Sequence, residues 1–130
     1  MKLFHLIFGL LVVLVFLLTG QYMHVYMHHM VGVPDGPRLL YRTRHIFILL
    51  AGLLNLGLGA YLVYRAERWA RGFQWLGSIL IVAASIILIA AFFFDSARGD
   101  LQTPWTHWGV KFIAIGTLSH LISAIPSRSR

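Results

Sequence analysis

Apolar residues dominate four stretches of the chain, 3–23, 45–64, 73–94 and 105–125, separated by shorter segments rich in glycine, proline and charge. Each stretch holds about 20 residues, which at ~1.5 Å per residue matches a bilayer core of ~30 Å. The pattern predicts an all-α, polytopic membrane protein, a four-transmembrane-helix bundle in one domain covering 1–130. The first stretch opens on Lys2, as a signal peptide does, but no small-residue cleavage site follows it, so it is expected to stay as the first span. Nothing between Tyr22 and Met30 breaks a helix, which predicts that the first helix runs on to about Met30. Gly32, Pro34, Gly36 and Pro37 then predict a turn-rich loop, with 38–44 leading into the second span.

Polar and small residues inside the spans indicate which faces meet protein. Gly52, Asn55 and Gly59 fall at i, i+3 and i+7, on one face of the second span. Small residues in that spacing let a neighbouring helix come close. Asn55 lies near the expected midplane, where an unpaired amide is costly, so it should face protein. The third span has Ser78 and Ser85 as its clear polar side chains and is expected to be the most lipid-exposed helix. Pro104 is well placed to start the fourth, which carries His107, Lys111, Thr117, Ser119, His120 and Ser123 and should turn one side inward. Lys111 is expected to reach outward past Trp108 or to pair with Asp95 or Asp100.

Composition agrees with this frame. The hydrophobic fraction is 58% and the charged fraction 12%, against about 25% charged for a soluble domain. The net charge of +7 comes from residues at helix ends, the usual place in a membrane protein, so nucleic acid is not an expected partner. Lys2, Arg65, Arg68, Arg71, Arg128 and Arg130 flank one side and outnumber Arg38, Arg42, Arg44 and Arg98 on the other. The positive-inside rule then puts both termini in the cytoplasm of a bacterial-type inner (plasma) membrane. Cysteine is absent, which removes disulfides, thiolate metal sites, iron–sulfur clusters and covalently attached haem. The carboxylates, Asp35, Glu67, Asp95 and Asp100, all lie in loops or at helix ends. No nucleophile–base pair, nucleotide loop or two-carboxylate site is visible, so an enzyme is not expected. The expected role is an accessory or structural subunit, with the lipid bilayer and other membrane subunits, or further copies of itself, as partners.

Two cofactor chemistries fit the histidines. A non-covalent haem b needs two imidazoles at one depth on facing helices. His45 and His107 each begin a span running in the same direction, with Arg42 and Arg44 placed to meet propionates. Asp95 or Asp100 would fix a tautomer. His24 is an alternate partner, and His5 with His120 a second pair on the inner side. The other chemistry is copper. Met23, His24, Met27, His28, His29 and Met30 mix thioethers and imidazoles, which suit Cu(I). On a continuous helix His24 and His28 share a face, as do Met23, Met27 and Met30.

Overall fold

A computed structural model describes residues 1–95 and 103–125. Its elements are α1 (Lys2–Val25), a short 3₁₀ turn (His28–Met30), α2 (Asp35–Tyr61), α3 (Arg68–Phe94) and α4 (Pro104–Ala124). There is no strand among the described residues. α1, α2 and α3 are each long and apolar enough to cross a membrane. The fourth expected span, α4, is not in that set; His107, Lys111 and His120 dilute its apolar sequence.

The helix bounds differ from expectation in three places. α1 stops at Val25 rather than near Met30. His28, His29 and Met30 all take left-handed backbone conformations, with φ of 43°, 58° and 62°, and these reverse the chain. The turn is held by N–H donation from Met30 to the Met27 carbonyl and by burial of the Met30 side chain. α2 begins at Asp35, so Gly36 and Pro37 lie in its first turn instead of in a loop. The first N–H groups of a helix have no intrahelical partner, and proline costs little there. Asp35 suits the positive end of the helix dipole and pairs with Arg38. α3 begins at Arg68, inside the expected connection.

Consecutive helices pack antiparallel. α1 lies on α2, α2 on α3, and α3 on α4. Glycine permits the closest approaches. A Cβ on Gly59 would stand 2.6 Å from the Leu6 backbone nitrogen, and one on Gly9 2.8 Å from that of Leu56. Gly52 fits over Val13 in the same seam. The α3·α4 seam has its own set: a Cβ on Gly77 would be 2.7 Å from the Gly116 carbonyl, while Gly109 fits against Leu88. Real Cβ atoms do not come this close, so the glycines set the distance between helices. Ile48, Ala51, Ala84, Leu88 and Phe92 form the core between α2 and α3, joined by Val12 and Ile113 from the flanking helices.

This layout overturns the expectation that the third span is the most lipid-exposed. Of the most apolar stretch of α3, 44% is buried, against 22% for α1. α3 sits between α2 and α4, whereas α1 has one principal neighbour. Uniform apolarity is compatible with either setting, because a helix hydrophobic all round can be covered by protein on more than one side or face lipid. Gln74, a further polar residue of α3, is buried and ties the connection 62–67 to the bundle. Its Nε2 donates to the Val63 carbonyl at 2.7 Å and its Oε1 accepts from the Arg65 N–H at 3.3 Å.

Candidate functional site

The polar side chains of the described residues gather in three layers. Near the start of α1, Asn55 joins three helices. Its Nδ2 donates to the Ala51 carbonyl at 2.9 Å and to Ser85 Oγ at 3.0 Å. Its Oδ1 lies 2.8 Å from His5 Nδ1. Both amide hydrogens are used, so Oδ1 accepts and His5 Nδ1 carries the proton. Ser85 Oγ in turn donates to the Ile81 carbonyl at 2.8 Å. Asn55 and Ser85 have no exposure and His5 1%, and the chain of donors and acceptors closes inside the bundle. His120 stands on Gly77, its Nε2 3.3 Å from Ser78 Oγ.

At the opposite end, Asp95 caps α4 from outside that helix. Its carboxylate accepts from the N–H of Thr106 at 2.8 Å, from Thr106 Oγ1 at 2.7 Å and from the N–H of Trp105 at 3.3 Å. These are first-turn groups that a helix leaves free, and negative charge is favoured there. Arg44 Nε lies 3.9 Å from Asp95 Oδ2 without a hydrogen bond, and both residues are buried. Nearby, His45 Nδ1 is 3.0 Å from Thr19 Oγ1, and its ring stacks on Phe16 at 4.0 Å between centroids. A Cβ on Gly20 would be 3.4 Å from His45 Nε2.

The third layer is the turn after α1. A cavity of about 260 Å³ is lined by Gly20, Met23, His24, His29, Met30 and Arg42. The His24 and His29 rings meet edge to face, 4.0 Å apart.

No protein-family model, curated protein or solved structure matches the chain. The residues themselves therefore carry the functional argument.

The four residues assigned to haem b point to different surroundings. His45 is committed to α1, and His107 is exposed on α4. Among the described residues no hydrogen bond or ring contact joins them. Arg44 turns to Asp95, while Arg42 lines the cavity beside His24. Asp95, proposed to fix a tautomer, is occupied by Arg44 and the start of α4; Asp100 lies outside the described residues. His5 and His120 bond to different helices, α2 and α3. Lys111 lies over the Trp108 ring at 5.0 Å from its centroid, a cation–π contact.

The copper residues divide. Because α1 ends at Val25, the shared helical face of His24 and His28 is lost. The turn brings His29 to His24 and sets Met30 beside Met23, while His28 and Met27 do not line the cavity. Gly52, Asn55 and Gly59 all meet α1, at Val13, His5 and Leu6. Sequence reasoning missed Gln74, the Ser85 partner of Asn55, and the Asp95 cap. Glycines 109 and 116, seven residues apart, were the available signal for the α3·α4 seam.

Proposed function

We propose that the chain is a small non-catalytic subunit that docks through α1 on another membrane protein. It crosses a bacterial-type inner membrane four times with both termini in the cytoplasm. One observation carries the docking surface. Leu3, Ile7, Leu10, Leu14 and Leu17 repeat at the 3.5-residue spacing of a helix-pairing stripe and lie on the exposed side of α1, away from α2. The His5–Asn55–Ser85 network and the Asp95 cap support the non-catalytic role, because these buried groups are engaged in holding helices together.

Antiparallel packing of α4 along α3 supports a fourth crossing, since the two helices then occupy one layer. The basic residues Lys2, Arg65, Arg68 and Arg71 support cytoplasmic termini. A reporter fused after Arg130 is expected to be active only in the cytoplasm; activity only in the periplasm reverses the orientation.

The docking role is tested by placing a photoreactive residue at Leu10, Leu14 or Leu17 in intact membranes. The expected product is an adduct with a second membrane polypeptide. A second copy of the chain would make the assembly a homo-oligomer, and adducts with lipid alone contradict the proposal.

A further inference from the structure

The turn after α1 assembles a set of ligands that a continuous helix would hold apart. Two imidazoles, His24 and His29, meet at 4.0 Å between ring centroids. Two thioethers, Met23 and Met30, line the same cavity of about 260 Å³. The left-handed run His28–Met30 creates this arrangement. Such conformations cost roughly 1–2 kcal/mol per residue for side chains other than glycine. The turn folds His29 and Met30 back toward the last turn of α1, and Met30 is buried there at 3% exposure.

We infer that Met23, His24, His29 and Met30 form a binding site for a soft monovalent cation of the Cu(I) class. The donor set selects against other ions. Among the described residues no three His, Cys, Asp or Glu side chains gather to hold a metal. Zinc sites are built from four such donors, or from three with a water. Hard cations need oxygen ligands, which the cavity walls do not supply as carboxylates. Thioethers with imidazoles are the soft donors that favour Cu(I). Arg42, at the same cavity, adds positive charge and penalises a divalent ion more than a monovalent one. The site does not depend on the docking role of α1, because its residues lie beyond the Leu/Ile stripe.

The test is an anaerobic Cu(I) titration of the detergent-purified protein, carrying no polyhistidine tag, against a chromogenic Cu(I) chelator. The wild-type chain should withhold one Cu(I) per molecule from the chelator. His24→Ala and His29→Ala should each weaken binding by at least about tenfold, the low end of what even an outer-shell partner costs. The double variant Met23→Leu/Met30→Leu, nearly conserved in volume, should weaken it as well. His28→Ala should leave it unchanged, because that side chain does not line the cavity. Thermal unfolding of each variant verifies the fold, and the exposed positions of His24, His28 and His29 keep these substitutions out of the core. Three results overturn the site: no more Cu(I) held by the wild type than by the His24→Ala/His29→Ala variant, equal losses from His28→Ala and His29→Ala, or displacement of Cu(I) by equimolar Zn(II).

Discussion

The α1·α2 and α3·α4 seams are built from the same kinds of part and differ in strength. Gly9, Gly20, Gly52 and Gly59 let α1 and α2 approach, Gly77, Gly109 and Gly116 do so for α3 and α4, and each seam has a polar contact near each end. In α1·α2 the polar contacts are neutral, His5 with Asn55 and Thr19 with His45. In α3·α4 one is neutral, Ser78 with His120, and the other is the Asp95 carboxylate on the start of α4. Glycine faces glycine at Gly77 and Gly116, whereas in α1·α2 each glycine faces a larger residue. α3 also has α2 on its other side, and α1 leaves an apolar flank uncovered. α1 and α4 each pack principally on one neighbour, α2 and α3; the lesson is that α4 is held by a glycine-to-glycine approach and a carboxylate cap, and α1 by glycines against larger residues and uncharged partners.

The largest effect should come from Asp95→Ala. It removes the cap of α4 and leaves the buried Arg44 without its carboxylate. Breaking a buried pair from one side costs about 3–5 kcal/mol, and loss of the whole cooperative transition in a denaturant titration is the expected outcome. A change of less than about 1 kcal/mol would mean that water already screens the pair.

Gly77→Leu and Gly59→Leu compare the seams directly. Overpacking costs about 1–3 kcal/mol, occasionally more. Gly77→Leu is expected to lower the stability of the entire bundle, because its neighbours are the Gly116 carbonyl and the His120 ring. Gly59→Leu should cost less and act locally, freeing α1 while α2 to α4 stay packed. Cysteine-labelling rates along α1 and α4 separate the two outcomes; equal increases on both helices after Gly59→Leu would erase the distinction.

Asn55→Leu should have the smallest effect. Interhelical hydrogen bonds in membranes average about 0.6 kcal/mol in double-mutant cycles. Because His5, Asn55 and Ser85 form one network, His5→Ala should cost little more once Asn55 has been replaced. Additive losses from the two substitutions would show that the network is not shared.

The parts of the fold legible in the sequence were those with local periodicity. Four apolar runs marked four helices, and the spacing of Gly52, Asn55 and Gly59 marked a close-packed face. The Asn55 partners were not legible, since nothing local links His5 and Ser85 to residue 55. The end of α1 was missed because three left-handed residues in a row carry no glycine or asparagine to announce them; only Gly32 follows. Of the six soft ligands expected from the sequence, the turn brings Met23, His24, His29 and Met30 to one cavity, which Met27 and His28 do not line. The burial of α3 was misjudged because an even apolar composition does not distinguish helix neighbours from lipid. The haem pair rested on matched depth and neighbouring arginines, which do not fix rotation about each helix axis; the structure sets His45 against α1 and leaves His107 exposed.

On the proposed function, the histidines within the helices serve packing and the chain acts through a bound partner rather than as an electron carrier. An absorption spectrum of the detergent-purified protein tests it most directly. The expected result is a colourless protein that co-purifies with a second membrane polypeptide. A Soret band that is lost in both His45→Ala and His107→Ala would contradict it.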